Sequence, residues 1–120
     1  MANQPEPIIA LYGDGASYGT APFREPRMGQ SGARDYLAPV LAAQQNVRAW
    51  FGEPIVDGDR AAVAWWAIAT EEGRLITYAG VSLLRFDEDG LVIDEWDAWN
   101  MVEGEREPTP GWATGTGKIP

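Results

Sequence analysis

Two carboxylates near the end of the chain, Glu95 and Asp97, are the side chains whose type and spacing best suit chemistry. They stand two residues apart in an alternating run, with Trp96 between them and Trp99 following. Alternate residues of a strand project from one face, so both carboxylates share a face with Trp99. If Asp97 lies in an apolar cavity beside Trp65 and Trp99, it is placed for general acid or base catalysis.

A structural role is the alternative for both carboxylates. Asp97 could accept hydrogen bonds at a strand end from a backbone N–H, from a tryptophan N–H, or from Arg48 or Arg60. Glu95 could share a proton with Asp97 or could be solvated near the end of the strand. We take Asp97 as the candidate catalytic residue and leave open whether the protein is an enzyme.

The composition excludes several kinds of site. The net charge is −9 with a pI near 4.3, so phosphate backbones and anionic membranes are not expected partners. There is no cysteine or histidine, which rules out thiolate and imidazole catalysis. The glycines at 13–15 are weak as a phosphate loop, and Asp87 and Asp89 lack the further ligands of a calcium loop. We therefore expect no metal and no cofactor. The first residues lack the pattern of a signal peptide, and no apolar run is long enough to span a membrane, so we expect a cytoplasmic protein.

A long hairpin is expected to position the carboxylates. Its strands are predicted over Leu75–Phe86 and Leu91–Trp99, joined by the acidic turn Asp87–Gly90. Two further strands, Val47–Val56 and Arg60–Thr70, are joined at Asp57-Gly58. The four strands form an antiparallel meander.

Helical patterns precede the meander. Prolines in the first turn favour a short helix over Pro5–Tyr12, ended by the glycines at 13–15, and Ala16–Gly19 is predicted as a short strand. Ser31 is a plausible N-cap for a helix from Gly32 to about Gln45. This order favours an α+β fold in one domain over residues 1–102, followed by a Gly/Pro-rich tail over 103–120 that is ordered only where Trp112 docks.

Four stretches agree in order and spacing with a known family: ALYGDGASYGTAPFREPRMGQSGARDYL, the DGDR turn, GVSLLRFDEDGLV and EWD. Together they make residues 10–112 resemble the SnoaL-like branch of the nuclear transport factor 2-like superfamily. The resemblance implies a cone: a strongly curved antiparallel sheet wrapped around helices, enclosing an apolar pocket. It also implies functions as different as those of polyketide cyclases, ketosteroid isomerase, limonene epoxide hydrolase and non-catalytic binding or assembly proteins.

The family's catalytic positions match this sequence only in part. The base of ketosteroid isomerase falls at Thr20, its protonated aspartate falls near Ser82, and its first-helix tyrosine has no counterpart. The Arg and Asp of limonene epoxide hydrolase fall at about Val63 and Trp65. Asp97 matches the acid on the last strand, which is also the acid/base position of the polyketide cyclases. The residues before Pro5 are too few to form the family's long first helix, so we expect an open pocket, or one covered by the tail near Trp112 or by a second subunit.

Alternation along the strands predicts the lining of the pocket. Besides catalytic Asp97, the expected ligand-binding residues are Phe23, Tyr36, Leu37, Val40, Trp65, Tyr78, Ser82, Leu84 and Trp99. Tyr18 is a further possible pocket hydroxyl, and Arg24 and Arg27 could grip an acidic ligand if they face it. The expected ligand is a small, largely apolar, cyclic or aromatic molecule, with cyclase- or isomerase-like turnover by Asp97 as one option. The alternative is a non-catalytic ligand-binding or oligomerisation module.

The same alternation predicts an apolar outer face. Trp65 and Trp66 are adjacent in a strand and must point to opposite faces. The residues expected on the convex side are Trp66, Ile68, Val81, Leu83 and Trp96. An exposed patch of this kind is typical of an interface, so we expect a homodimer through this face.

Overall fold

The structure, a computed structural model, describes residues 4–113. Over these residues, two helices and seven strands follow in the order α1 (Glu6–Ile9), β1 (Tyr12–Gly19), β2 (Arg27–Met28), α2 (Gly29–Ala43), β3 (Gln44–Phe51), β4 (Ile55–Asp57), β5 (Arg60–Glu71), β6 (Arg74–Phe86) and β7 (Val92–Glu103). The strands form one curved sheet in the order β2-β1-β7-β6-β5-β3, with β4 paired to β5. The predicted α+β class is confirmed.

The predicted hairpin is the centre of the sheet. β6 and β7 pair antiparallel from Ile76 opposite Glu103 to Phe86 opposite Val92, with a shift of register after Arg85. The turn forms because the Asp87 carboxylate accepts hydrogen bonds from two backbone N–H groups of the loop, at 2.9 and 3.0 Å. This hairpin sets the face of every residue on β7, including the two carboxylates.

The strand predicted over residues 47–56 is wrong in extent. The structure has two strands there, β3 and β4, both paired with β5, because the segment Gly52–Pro54 interrupts them. Pro54 has no N–H to donate to a strand partner. The turn at Asp57-Gly58 is confirmed, since Asp57 lies opposite Arg60.

β1 is longer than predicted and lies beside the last strand. The glycines at 13–15 do not end a helix; they lie inside β1, where the register with β7 shifts between Tyr12 and Ser17. Gly15 adopts a φ of 73°, which favours glycine. β1 runs parallel to β7, so the first long strand of the chain lies beside its last strand in the sheet.

Helix α2 packs on the concave face of the sheet. It begins at Gly29, three residues before the predicted start, and Met28, not Ser31, is at its N-cap position, without a side-chain cap. Ala33 and Leu37 are its buried residues and join the core. The remaining members of the core cluster are Ile9, Tyr12, Ala16, Tyr18 and Val92. No helix within residues 4–113 is both long and apolar enough to cross a membrane.

Residues 104–113, here called the strap, cross the outer face of the sheet, opposite α2. The indole of Trp66 donates a 2.7 Å hydrogen bond to the Arg106 carbonyl and meets the Trp112 ring edge-on at 5.6 Å between centroids. Arg48 forms ion pairs with Glu105 and Glu107 of the strap. The tail predicted from residue 103 therefore packs on the sheet as far as residue 113, while residues 114–120 lie outside the described part.

The strap changes the outer face that the sequence predicts. The hydroxyl of Thr77 donates to the Gly104 carbonyl at 2.8 Å and accepts from the Arg106 N–H at 3.1 Å. Ile68, opposite Thr77 in the register, is only 1% exposed. The expectation that Trp66 and Ile68 are free on this face is wrong, because the chain's own C-terminal segment covers this region. Val81, Leu83 and Trp96 remain exposed.

Candidate functional site

A cavity of about 700 Å³ lies between α2 and the concave face of the sheet. Eight of the ten residues predicted for the pocket line it: Tyr36, Leu37, Val40, Trp65, Tyr78, Ser82, Asp97 and Trp99. The lining also includes residues that the sequence did not assign to it, among them Ile8, Tyr12, Thr20, Pro39, Phe51, Glu71 and Glu95. Phe51 lines the cavity while remaining largely exposed, so it marks an open side.

Two predicted pocket residues lie elsewhere. Phe23 is fully exposed, in the loop between β1 and β2, and does not reach the cavity. Leu84 shares the strand face of Ser82, but it packs against the core cluster beyond the end of the cavity. Alternation gave the correct face for Leu84, whereas the limit of the cavity along β6 depends on how the sheet bends.

Asp97 is buried in the cavity wall at 8% exposure and is held by a chain of hydrogen bonds. The hydroxyl of Ser82, opposite Asp97 in the register, donates to its Oδ1 at 2.6 Å. The Trp65 indole N–H in turn donates to the Ser82 oxygen at 3.0 Å. The arginines suggested as partners pair with other residues, Arg48 with the strap and Arg60 with Asp57.

Glu95 lies on the same wall and is equally buried. The Tyr12 hydroxyl donates a 2.6 Å hydrogen bond to its Oε1. Burial, followed by a hydrogen bond with Asp97 and the negative charge of Asp97, raises the pKa of Glu95 to about 8, while the bond from Tyr12 opposes the shift. Glu95 is therefore suited to carry a proton near neutral pH.

Three tyrosine rings continue the wall away from Glu95. Tyr18 lies 5.7 Å from Tyr12 and 5.7 Å from Tyr36 between ring centroids. Burial first, and then the charge of nearby Asp97, raises the pKa of Tyr18 and of Tyr36, so both phenols are neutral donors. Tyr18 is 7% exposed, and no residue within 4–113 forms a hydrogen bond with its hydroxyl. That donor is available to a ligand.

A second polar group lies farther along the cavity, around Glu71 at the end of β5. Its Oε2 accepts hydrogen bonds from the Tyr78 hydroxyl at 2.6 Å and from the Gln44 amide at 3.1 Å. The rings of Tyr78 and Trp99 lie 5.8 Å apart beside it, and the Trp99 indole is fixed by a 2.6 Å bond to the Thr20 carbonyl. The cavity thus has acidic groups in two places, separated by aromatic side chains.

The arginines considered for the pocket do not line it. Arg27 lies over the Tyr36 ring, 5.6 Å from its centroid, and Arg24 is exposed. Among the described residues the lining contains Glu71, Glu95 and Asp97 but no lysine or arginine. Asp87 and Asp89 lie in the β6–β7 turn, and no cluster suited to a metal ion is found within residues 4–113.

Two lining residues were missed for identifiable reasons. The glycines after Tyr12 resemble a helix end and so predict a helix there; the pairing of this segment with β7 requires a register shift between Tyr12 and Ser17, which the sequence does not signal. Glu71 and Glu72 form an acidic pair before Gly73, a pattern that predicts a turn. The structure places Glu71 as the last residue of β5, facing inward.

Solved structures of the same shape place the fold in a known class. The chain is similar to SalBIII, described as an epoxide hydrolase/cyclase-like enzyme in pyran ring formation in the polyether salinomycin, with a TM-score of 0.74 and 17% identity over 84% of each chain. It is similar to RV0760c from Mycobacterium tuberculosis, with a TM-score of 0.72 and 19% identity over 84% of each chain. A computationally designed 17-OHP binder has a TM-score of 0.69 and 21% identity, over 82% of this chain and 85% of that one. These likenesses define a nuclear transport factor 2-like cone.

The family follows from the sequence comparison. The model of the SnoaL-like domain matches residues 2–95, most of the chain. The protein therefore belongs to the SnoaL-like family, and the predicted membership is confirmed. No curated protein matches the sequence.

Proposed function

We propose that the protein binds a small, largely apolar cyclic molecule in the cavity and moves a proton on it with Glu95 and Asp97. The observation that supports this function is the pair of buried carboxyl groups in an aromatic wall, of which Glu95 has a pKa raised by burial. Raised pKa values of this kind suit a carboxyl group to donate a proton near neutral pH.

Each carboxyl group has its own role in this proposal. Glu95 gives its proton to an oxygen of the ligand, such as that of an epoxide or carbonyl, as the bond to that oxygen is broken or polarised. Asp97 takes a proton from the attacking hydroxyl or from the carbon beside the carbonyl. The proton then passes from Asp97 back to Glu95, so the pair returns to its starting state. Ser82 keeps Oδ1 of Asp97 in position.

Two structural relatives support this class of ligand. One is the epoxide hydrolase/cyclase-like enzyme of pyran ring formation, and the other is a binder designed for 17-OHP. The cavity, at about 700 Å³, falls within the usual range for small-molecule sites, on the order of 300–1,000 Å³. Ring closure or isomerisation of a cyclic molecule is the reaction that we propose.

Thermal-shift screening with neutral cyclic ketones and epoxides tests this function, followed by NMR of each binder for isomerisation, ring opening or exchange of carbon-bound hydrogen. We expect binding and turnover in the wild type, and binding without turnover in Asp97→Asn. Absence of binding throughout the screen would contradict the whole proposal. Binding without turnover in the wild type would leave the non-catalytic binding module as the function.

The exposed outer face supports an oligomerisation role alongside binding. Val81, Leu83 and Trp96 are close to one another, because Leu83 lies opposite Trp96 in the register. A second copy of the chain is the proposed occupant, since a two-fold pair covers the same patch on both subunits. Trp66 and Ile68 contribute little, because the strap already covers their region.

A further inference from the structure

The charges around the cavity point to a ligand class narrower than a small apolar molecule. Three carboxyl groups face the cavity, and no lysine or arginine among the described residues lines it. Among the basic residues considered for the pocket, Arg27 lies against Tyr36, and Arg48 is paired with the strap. An anionic ligand would enter this cavity without a counter-charge.

Glu71 is the group suited to hold a positive charge. Both of its hydrogen bonds go to Oε2, and no residue within 4–113 forms a hydrogen bond with Oε1. Its cross-strand neighbour Arg74 lies 3.8 Å from Glu103, forming an ion pair there. Glu71 thus has acceptor capacity that the described part of the protein does not use.

The rings beside Glu71 suit the same kind of group. Tyr78 and Trp99 meet at 5.8 Å with their planes inclined by 58°, which makes a corner lined by two ring systems. The faces of aromatic rings attract cations, and tryptophan does so most strongly. A carboxylate next to such a corner is an arrangement that binds an ammonium group.

The other part of the cavity, around Tyr18, also offers a donor to a ligand. Tyr18 lines the cavity, and its hydroxyl has no hydrogen-bond partner among residues 4–113. The hydroxyl is open to the cavity, so it is available as a donor to an oxygen or nitrogen of a ligand. Tyr78 and Ser82 are four residues apart on β6, so their Cα atoms are separated by roughly 13 Å along the strand.

We propose that the cavity selects ligands that carry a basic nitrogen, with the ammonium group held by Glu71, Tyr78 and Trp99 and the apolar ring system directed toward Tyr18 and the carboxyl pair. This inference rests on the proposed function and names its ligand class. Neutral analogues bind more weakly, and carboxylates are rejected.

Three probes with the same ring body test the inference by ligand-observed NMR titration: 2-naphthylmethylamine, 2-naphthylmethanol and 2-naphthoate. We expect the amine to bind about tenfold more tightly than the alcohol, because a hydrogen bond to a charged group is roughly twice as strong as a neutral one. The naphthoate should bind most weakly. Added salt should weaken binding of the amine and leave binding of the alcohol unchanged.

Glu71→Gln is the deciding variant, because it keeps the shape and an acceptor for Tyr78 and Gln44 while removing the charge. In this variant the affinity for the amine should fall to the affinity for the alcohol. An affinity for the alcohol equal to that of the wild type would show that the cavity is intact. Glu72→Gln is the control, since it removes the same charge from the exposed neighbouring position. It should leave the preference for the amine in place.

The outcomes separate this inference from the proposed function. If the alcohol binds but the naphthoate equals the amine, charge selection is overturned and binding of apolar rings stands. If the amine preference survives Glu71→Gln but is lost in Asp97→Asn, the assignment to Glu71 is overturned. If none of the three probes binds while the screen of ketones and epoxides gives binders, selection for a basic nitrogen is overturned and the proposed function stands.

Discussion

The hydroxyl of Tyr12 donates a 2.6 Å hydrogen bond to Oε1 of Glu95, linking side chains that are 83 positions apart in the sequence. This bond favours the ionised form of Glu95 and opposes the effect of burial. It therefore moderates the pKa of the group that we propose as the proton donor.

Tyr12→Phe should raise the pKa of Glu95 above its value of about 8, since the opposing hydrogen bond is removed while the ring remains. A 13C NMR titration of the glutamate side chains measures this midpoint. Tyr36→Phe is the control, because the Tyr36 hydroxyl makes no bond to Glu95 within the described chain. A midpoint that falls in Tyr12→Phe would show that burial does not dominate at this site.

The raised pKa of Glu95 should make the free energy of unfolding depend on pH. The folded state holds a proton that the unfolded state releases above its ordinary pKa of 4.5. The stabilisation is complete below that value and is lost as pH rises toward about 8. Between pH 5.5 and 8.5 we expect a loss of about 3 kcal/mol, measured by urea unfolding.

Glu95→Gln should remove most of this dependence, because the amide resembles the protonated acid and does not ionise. Glu88→Gln, at an exposed turn position, is the matched control and should retain the wild-type slope. If the free energy of unfolding changes with pH equally in the wild type, Glu95→Gln and Glu88→Gln, then Glu95 is not the group that titrates.

Ser82→Ala should destabilise the protein by about 1–3 kcal/mol, because the Trp65 N–H and the Asp97 carboxylate both lose a buried partner. Turnover should also decrease, since Asp97 is no longer held. Ser31→Ala is the control: Ser31 is exposed in α2 and does not cap it, so its effect should be small. Equal effects at the two serines would contradict the role given to Ser82.

Gly80→Ala should disturb the cavity wall from within the sheet. A Cβ at Gly80 would lie 2.7 Å from Trp99 Cβ and 2.9 Å from Trp65 Cζ2, and it would overlap the Ala98 carbonyl. We expect a loss of about 2 kcal/mol and weaker ligand binding, because rigid backbone and two indoles must move. Gly13→Ala meets only ordinary contacts, the nearest at 3.4 Å, and should be tolerated. Calorimetric unfolding with a binding titration checks both variants.

Leu83→Glu should convert the proposed dimer to a monomer, because a charge would be buried at the centre of the exposed outer patch. Leu83 is 55% exposed in the single chain and lies opposite Trp96. Sedimentation velocity at micromolar concentration gives the oligomeric state. Leu11→Glu, at a similarly exposed leucine outside the patch, should leave the state unchanged. A wild-type monomer would reject the dimer.

Much of the fold could be predicted because its signals are local. The β6–β7 hairpin follows from two alternating runs and one acidic turn, and this alternation gives the faces of Ser82, Asp97 and Trp99. The bulge at the start of β1 could not be predicted, because the sequence does not distinguish glycines of a bulge from glycines of a turn.

The predictions that were wrong at the site and at the outer face failed for a different reason. Phe23 lies in a loop whose path depends on packing against distant parts of the chain, and no periodic pattern in the sequence predicts that path. The burial of Ile68 and the docking of Trp112 on Trp66 depend on a segment that looks like a tail in sequence. The partnership of Tyr12 with Glu95 requires the parallel register of β1 and β7, which no local signal specifies.

The parallel pairing of β1 with β7 also determines when the site can form as the chain folds. A chain made from its N-terminus holds Tyr12 and Tyr18 from early in synthesis, but β1 has no central neighbour until Val92–Glu103 has emerged. Local hairpins form first, and contacts between distant parts of the chain form late. The site is therefore among the last parts to assemble, and until then the apolar surface of β1 and α2 is open to chaperones and to aggregation.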